Sequence, residues 1–284
     1  MKLYVLALGL AAVLTAQTPV SFLEGRNGGN GSAAATVVAD LNNDGVPDVA
    51  TVDPNNGVTI FLGNGDGSFR QLPPIGVVGS SIAAADFNQD GNIDLAVAGS
   101  VLLGNGDGSF QSPIVFDNSA VLVVTGDFNG DGIPDIAATS TFAATVQTFL
   151  GDGTGSFVAG PVTTISSSTL ALNSMIVADF DSDGQDDLAL AATTNFYGGT
   201  GYLEVLRGAS QGNFSVSQVA LGSSTFSRPS ALAAADFNGD GHLDVAVADW
   251  YLNRVLIFLG TGGGFRTPIR VGVRPRQVRL PSRT

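Results

Sequence analysis

A nine-residue acidic loop that occurs five times is the feature that most constrains this chain of 284 residues. Every copy has an oxygen-bearing side chain at loop positions 1, 3, 5 and 9 and glycine at position 6, which permits a sharp reversal of the backbone. Carboxylates this close together repel one another unless a cation lies between them. Ca²⁺ takes six to eight oxygen ligands and suits such a loop, whereas Mg²⁺ requires a stricter octahedron and keeps several waters. The sequence therefore predicts about one Ca²⁺ in each loop.

The predicted ligands are the side chains at positions 1, 3, 5 and 9 and the backbone carbonyl at position 7. The EF-hand loop opens in the same way, but it closes with Glu at position 12 and lies between helices. In the fourth loop Asp181 replaces the Asn of the other copies, so we expect this loop to bind Ca²⁺ most tightly. The predicted metal-binding residues are Asp40, Asn42, Asp44, Val46 and Asp48; Asp86, Asn88, Asp90, Asn92 and Asp94; Asp127, Asn129, Asp131, Ile133 and Asp135; Asp179, Asp181, Asp183, Gln185 and Asp187; and Asp236, Asn238, Asp240, His242 and Asp244.

The repeat that carries each loop has the periodicity of β-strands. A short strand rich in small and β-branched residues precedes the first loop at 35–39, others follow at 49–52 and 58–62, and a fourth runs from Phe69 towards Val78. A second motif, Phe-Leu-Gly-Asn-Gly-Asp-Gly-Ser-Phe at 61–69, trails the loop and recurs in later repeats. Four strands in a repeat of this length are typical of a β-propeller, whereas the coils of a β-solenoid are shorter. We therefore predict an all-β fold, a β-propeller of four-stranded antiparallel blades with five repeats visible.

Two sets of large apolar residues, all phenylalanine except one leucine, are expected to pack in the core between blades, because an apolar side chain beside a carboxylate cage is not a ligand. One set occupies loop position 2, and the other closes the second motif. The first set is Leu41, Phe87, Phe128, Phe180 and Phe237, and the second is Phe69, Phe110, Phe157, Phe214 and Phe265.

The loop Asp-Phe-Asn-x-Asp-Gly-x-x-Asp, followed by the second motif, resembles the FG-GAP/VCBS-type repeat. That repeat forms the propellers of integrin α-subunit heads and of many secreted bacterial proteins, and the resemblance covers about residues 33–280. It implies that the loop residues ligate calcium. The Gly-Ala-Pro segment of integrin-type repeats is absent at 96–99 and 189–192, which favours the VCBS-like branch. Propellers of this family are commonly seven-bladed, so the chain is either a closed five-bladed propeller or an incomplete larger one, and we favour the second.

The first residues have the pattern of a secretory signal peptide at 1–16. Lys2 is followed by an apolar run at 3–14, and cleavage is expected before Gln17. That run is shorter than the roughly 20 residues of a membrane span. Residues 17–32 are predicted to be an N-terminal strand or linker, 33–280 the propeller repeats and 281–284 a tail. The expected location is secreted or extracellular, with the cell surface or periplasm as alternatives. No cysteine is present, so disulfides cannot stabilise an exported fold and bound metal is the expected substitute.

The net charge of −13 comes from the loops, since 16 of the 25 acidic residues are Asp at the four side-chain ligand positions. Five divalent ions would add ten positive charges and leave the protein close to neutral. Six arginines fall within the last nineteen residues, but the acidic context argues against nucleic acid as a partner. We expect an extracellular protein or carbohydrate as the partner and no membrane span.

Few residues are suited to catalysis. The only histidine is His242 at loop position 7, where its carbonyl is the expected ligand, and the only glutamates are Glu24 and Glu204. The remaining Asp residues lie mainly in turn-like sequences, at Asp53, Asp66, Asp107, Asp117, Asp152, Asp186 and Asp249. We therefore predict that the protein is not an enzyme but a calcium-binding module for binding, adhesion or protein interaction. The alternative is a secreted calcium-dependent hydrolase or lyase acting on polysaccharide or lipid. The expected recognition surface contains Tyr197, Tyr202, Trp250 and Tyr251, although packing at the blade edges is an equal alternative for them.

Overall fold

The short strands predicted by the repeat form five separate four-stranded antiparallel sheets. The computed structural model describes residues 34–140, 144–165, 171–194, 199–221 and 226–272. In each sheet the strands hydrogen-bond in the order of the sequence, so each repeat folds as one meander. The predicted β-propeller of five four-stranded antiparallel blades is therefore confirmed. The predicted signal peptide (1–16), the 17–32 segment and the 281–284 tail lie outside the described residues.

The strand bounds follow the repeats closely. The fourth strand of the first repeat is continuous only to Gln71, but its segment pairs with the third strand again further on, where Ile75 and Val58 form an isolated antiparallel bridge. A single 3₁₀ turn, Ser210–Gly212, joins the last two strands of blade 4. The strands are β1 (Ala35–Ala39), β2 (Asp48–Asp53), β3 (Gly57–Gly63) and β4 (Phe69–Gln71) in blade 1; β5 (Ile82–Ala85), β6 (Asp94–Val97), β7 (Ser100–Leu102) and β8 (Ile114–Val115) in blade 2; β9 (Ala120–Gly126), β10 (Asp135–Ser140), β11 (Thr145–Gly151) and β12 (Phe157–Thr164) in blade 3; β13 (Ala171–Ala178), β14 (Asp187–Thr193), β15 (Gly201–Ala209) and β16 (Asn213–Ala220) in blade 4; and β17 (Pro229–Ala235), β18 (Asp244–Asp249), β19 (Arg254–Phe258) and β20 (Ile269–Gly272) in blade 5.

The meander gives each blade two distinct ends. The acidic loop joins the first strand to the second, and the second motif joins the third strand to the fourth. Because successive strands are antiparallel, both connections lie at the same end of the sheet. We call this end the acidic-loop face. The turns between second and third strands, and the connections from one blade to the next, lie on the opposite end, the connection face.

Alternating residues on each strand form four apolar clusters, one between each pair of successive blades. At three of these interfaces the phenylalanine at loop position 2 meets, edge to face, the phenylalanine that closes the second motif of the next blade. The ring centroids are 5.4 Å apart for Phe87 and Phe157, 5.6 Å for Phe128 and Phe214, and 5.8 Å for Phe180 and Phe265. Leu41 and Phe110 occupy the same positions at the first interface. The prediction that these residues form the core between blades is confirmed for them.

The prediction is wrong for Phe237, which is 49% exposed. Its counterparts Phe87, Phe128 and Phe180 are at most 4% exposed, because each is covered by the following blade. Phe69, the closing phenylalanine of blade 1, is partly exposed and belongs to none of the four clusters. Both residues lie on blade surfaces that the described residues do not cover. Among those residues, no helix has the length and hydropathy needed to cross a bilayer.

Candidate metal centres

The aspartate at loop position 9 is fully buried in all five blades. One carboxylate oxygen accepts the N–H of loop position 2, and the other accepts the N–H of the first glycine in the second motif. In blade 1 Asp48 accepts from Leu41 at 2.8 Å and from Gly63 at 2.7 Å. The other four blades repeat this pair of bonds at Asp94, Asp135, Asp187 and Asp244. Position 9 therefore joins the two connections of the acidic-loop face.

The hydrogen bond to the position-9 aspartate also explains why the second motif contains glycine directly after Phe-Leu. A β-carbon at Gly63 would collide with the carbonyl oxygen of Pro47, at loop position 8, and the corresponding collision occurs at Gly104 with Ile93. Only a residue without a side chain lets its N–H come close enough to the carboxylate at position 9. The glycine at loop position 6 has a different role, because its φ angle lies between +81° and +89° in the five loops.

The aspartate at position 1 folds the loop around itself. In the first loop Asp40 accepts the N–H of Gly45 at 2.8 Å and that of Asp44 at 3.2 Å. Asp44, at position 5, in turn accepts the N–H of Val46 at 2.8 Å. The same three bonds recur in the other four loops. These bonds direct the carboxylates towards the centre of the loop, and the oxygens retain lone pairs for a cation.

The fourth loop is the most concentrated of the acidic sites. Carboxylate oxygens of Asp179, Asp181 and Asp187, at positions 1, 3 and 9, all lie within 4.8 Å of one another. Asp181 Oδ1 is buried and has no hydrogen-bond donor, while its Oδ2 lies 3.3 Å from Nε of Arg207. The four Asp at ligand positions and this one Arg give −4 + 1 = −3, which equals the charge of the three Asp in each other loop. Arg207 thus offsets the extra carboxylate, and the Asp181 oxygen without a donor could ligate a cation.

Position 3 holds asparagine in the other four loops. There the amide oxygen accepts the N–H of position 5, and the amide NH₂ donates to the aspartate at position 5, as between Asn42 and Asp44 at 2.8 Å. Hydrogen bonds therefore tie positions 1, 3 and 5 of these loops together, but among the described residues three carboxylates converge within 4.8 Å in the fourth loop alone. Oxygen donors of this number, arranged on a tight loop, fit the coordination preference of Ca²⁺.

Burial raises the pKa of three carboxylates at position 9: that of Asp94 to about 6, that of Asp135 to about 7 and that of Asp187 to about 6. The two N–H donors lower each pKa, and the other acids of the same loop raise it. At the loop surface, hydrogen bonding outweighs burial and the pKa values are lowered instead. The N–H of Asn92 lowers the pKa of Asp90, and that of Gly241 lowers the pKa of Asp236. A cation in the loop would favour the ionised form of the buried carboxylates.

Neighbouring loops are linked directly. Asn43 donates through Nδ2 to Asn92 Oδ1 at 2.7 Å, which connects the first two loops. Asp186 accepts the N–H of Asp127 at 2.8 Å across the interface between blades 3 and 4, and burial raises the pKa of Asp186. Local sequence patterns do not predict these contacts, because their partners are 49 and 59 residues apart.

The connection face carries a group of exposed aromatic residues at blade 5. Trp250 is 65% exposed, and the guanidinium carbon of Arg228 lies 5.4 Å from the centroid of its ring. The rings of Phe226 and Tyr251 stack with centroids 5.8 Å apart. We call these four residues the aromatic cluster. Trp250 and Tyr251 belong to the predicted recognition surface, whereas Tyr202 is half-buried in β15 and Tyr197 lies outside the described residues. Phe226 and Arg228 were missed, because no local pattern marks a residue that stacks on a turn over twenty positions away.

Comparison with models of known protein families identifies the repeat that carries the acidic loops. A model described as the FG-GAP-like repeat matches residues 40–97, 127–190 and 191–247, which together exceed half of the chain. The chain belongs to the FG-GAP-like repeat family. Each matched segment contains at least one acidic loop. No curated protein sequence matches the chain significantly.

Two solved structures are similar in fold to this FG-GAP-like propeller. They are crystal structures of BBS1N in complex with ARL6DN, one soaked with lead and one with mercury. Their TM-scores are 0.52 and 0.53, at 12% and 11% sequence identity, and each match covers 85% of this chain. The chain spans about two thirds of the length of those proteins, 67% and 66% respectively. At this identity the likeness concerns the fold alone. The FG-GAP-like repeats on a propeller suggest a protein-interaction module.

Proposed function

We propose that this FG-GAP-like protein is a secreted, calcium-loaded, non-catalytic module that binds a partner protein through the aromatic cluster. The observation that carries the proposal is the exposure of Trp250 and of the stacked pair Phe226 and Tyr251 on the connection face. Tryptophan, tyrosine and arginine dominate the residues that contribute most to protein–protein binding. The cluster brings these three residue types together on one small surface.

A buried ion pair holds the cluster in place. Asp249 is almost fully buried, and its Oδ2 lies 3.0 Å from Nη2 of Arg254. Asp249 Oδ1 accepts the N–H of Arg228 at 3.0 Å, and the N–H of Trp250 donates to the carbonyl of Arg228 at the same distance. The turn that carries Trp250 is therefore tied to the segment that carries Arg228. A surface that is ordered before binding loses less conformational entropy when a partner docks.

Calcium has a structural role in this proposal. The acidic loops lie on the face opposite the aromatic cluster, so a bound ion would hold each loop together without touching the partner. The ion would neutralise converging carboxylates and so stabilise the acidic end of each blade. In a chain without cysteine, this is the available substitute for disulfide cross-links in an oxidising compartment.

The placement of the other acids supports a non-catalytic role. Each of the seven Asp residues outside the ligand positions accepts a hydrogen bond from its own turn or from a neighbouring segment. His242, at position 7 of the fifth loop, has its ring against Gly262 of the second motif. A calcium-dependent hydrolase or lyase would require a further reactive group beside one particular ion.

The proposal is tested with the wild-type protein and a variant carrying both Trp250→Ala and Tyr251→Ala, each coupled to resin in calcium. Extracellular proteins of the producing cells and a glycan array serve as the two pools of partners. The matched control is Val158→Ala, which alters an equally exposed residue on β12 of blade 3. We expect the wild type and the control to retain the same protein and the double variant to lose it. Retention of the same protein by the double variant, binding to glycans alone, or calcium-dependent turnover on a panel of polysaccharides and esters would refute the proposal.

A further inference from the structure

Blade 4 differs from the other blades at two positions that are in contact with each other. Its acidic loop has a carboxylate at position 3, Asp181, where the other four loops have asparagine. Its second motif has Arg207 directly before the first glycine. The equivalent residue in every other blade is leucine, namely Leu62, Leu103, Leu150 and Leu259. Because Nε of Arg207 lies 3.3 Å from Oδ2 of Asp181, the extra negative charge and the extra positive charge form a pair.

In the loops with asparagine, position 3 itself holds position 5. The amide NH₂ of that asparagine donates to the aspartate at position 5, at 2.8 to 3.1 Å in the four loops. An ionised aspartate has no hydrogen to donate. In the fourth loop Gln185, at position 7, donates to Asp183 at 3.2 Å instead, and Arg207 faces Asp181. Two side chains therefore replace the single asparagine of the other loops.

Arg207 also replaces a leucine that packs against the next blade. In blades 1 to 3 this leucine lies against the last glycine of the following second motif, where a β-carbon would come within 3.1 Å of its side chain. These pairs are Leu62 with Gly108, Leu103 with Gly155, and Leu150 with Gly212. Between blades 4 and 5, Nη2 of Arg207 donates to the carbonyl of Gly263 at 2.9 Å. The guanidinium therefore connects the fourth loop to the second motif of blade 5.

The charges of the fourth loop require a counter-charge. Carboxylate oxygens of Asp179, Asp181 and Asp187 lie within 4.8 Å of one another, and they repel one another unless a positive charge is near. The side chains of Arg207 and Asp181 are only 24% and 18% exposed, so water and salt screen this pair less than they screen an exposed pair. Arginine stays protonated throughout the physiological range of pH. The fourth loop therefore contains a positive charge whether or not an ion is bound.

We propose that Arg207 is the built-in counter-cation of the fourth loop. When no ion is bound, Arg207 neutralises Asp181 and keeps the hydrogen bonds of that loop formed. When an ion binds, the guanidinium repels it across Asp181, so the loop binds calcium more weakly than its four carboxylates alone would. Arg207 thus stabilises the loop at low calcium and lowers its calcium affinity. The affinity half of this inference rests on the calcium part of the proposed function, and the aromatic cluster has no role in it.

Hydrogen exchange of the full chain, measured by mass spectrometry, reports on the fourth loop separately from the other loops. The backbone amides at positions 5, 6 and 7 of this loop donate to carboxylates of the same loop. Their protection from exchange therefore measures how often these bonds open. One series of measurements is made in excess EDTA at pH 8, and a second series is made over a titration with calcium.

The variants compare blade 4 with the pattern of the other blades. Arg207→Leu introduces the residue that the other four blades have at this place. The double variant adds Asp181→Asn, which restores the pattern of the other blades at both positions. Arg70→Leu, at an exposed arginine on β4 of blade 1, is the matched control. Circular dichroism establishes that each variant is folded.

In EDTA we expect the fourth-loop amides of Arg207→Leu to exchange about two- to fivefold faster than those of the wild type, the range for a partly exposed ion pair. The double variant should return towards the wild-type rate, because the unpaired carboxylate is gone. In the titration, Arg207→Leu should reach half-protection at about a tenth of the calcium concentration that the wild type needs, since one positive charge near the ion is removed. The control should match the wild type in both series.

Equal exchange of the wild type and Arg207→Leu in EDTA would overturn the proposal, as would a calcium midpoint that stays the same or rises. Faster exchange that the double variant does not reverse would also overturn it, because Arg207 would then act only by packing between blades 4 and 5. If calcium changed the protection of no loop, the calcium part of the proposed function and the affinity half of this inference would both fail. The rates in EDTA would still decide whether Arg207 holds Asp181, so the two failures are distinguishable.

Discussion

Substitution of Asp48 separates the structural role of loop position 9 from its predicted role as a metal ligand. Asp48→Ala removes a buried carboxylate that accepts the N–H groups of Leu41 and Gly63. Each buried N–H left without an acceptor costs about 1–3 kcal/mol, so the variant should lose about 2–6 kcal/mol of stability. That is a large part of the 5–15 kcal/mol typical of a domain, and it corresponds to a fall in melting temperature of roughly 5–20 °C.

The assay is thermal melting at pH 8 in excess EDTA, where no loop holds an ion. Asp44→Ala is the comparison, because Asp44 is an exposed residue at a predicted ligand position of the same loop. In EDTA the Asp44→Ala variant should melt at nearly the temperature of the wild type. In calcium at ten times the dissociation constant, its free energy of unfolding should be about 1.4 kcal/mol lower than that of the wild type, which is the contribution of one ion. Asp66→Ala, at an exposed turn of the same blade, should melt like the wild type in both conditions. If Asp48→Ala were no less stable than Asp44→Ala in EDTA, the structural role of position 9 would be refuted.

Further predictions concern the core, pH and the fourth loop. Phe128→Ala should lower the free energy of unfolding by about 3–5 kcal/mol, whereas Phe237→Ala, at the exposed counterpart, should change it by no more than about 0.5 kcal/mol. Urea unfolding of dilute protein measures both values. Because the folded-state pKa values of Asp94, Asp135 and Asp187 are raised, the folded protein binds more protons than the unfolded chain between about pH 4 and pH 7. The stability of the metal-free protein should therefore fall as pH rises through this window, and melting curves in EDTA that are flat or rising with pH would contradict the assignment. Arg207→Gln should raise the calcium affinity of the fourth loop, since it removes the cation paired with Asp181, and a titration showing weaker binding would count against that pairing.

The acidic loops and the blades could be predicted from the sequence because their determinants are local. Five copies of the same ligand spacing fix the loop, and alternation of small and β-branched residues fixes the strands on either side. The sharp backbone reversal at the glycine of position 6 is predictable for the same reason, and Gly45 has a φ of +81°. Calcium itself stays a prediction that the geometry of the loops supports.

The remaining features depend on residues that are distant in the chain. The bond from Gly63 to Asp48 requires the second motif to return to the acidic loop, and the pairing of Arg207 with Asp181 spans 26 residues. The exposure of Phe237 could not be predicted from local sequence either. Its loop is as regular as the others, but burial of its ring depends on a neighbouring blade that no local pattern specifies.

The most direct test of the account is the number of calcium ions that one chain binds and their effect on stability. Native mass spectrometry in calcium, followed by melting with and without EDTA, measures both quantities. The account predicts five ions per chain, one for each acidic loop. At ten times the dissociation constant these ions should contribute about 7 kcal/mol in total, so EDTA should lower the melting temperature sharply. A chain that binds no calcium and melts at the same temperature in EDTA would contradict the account.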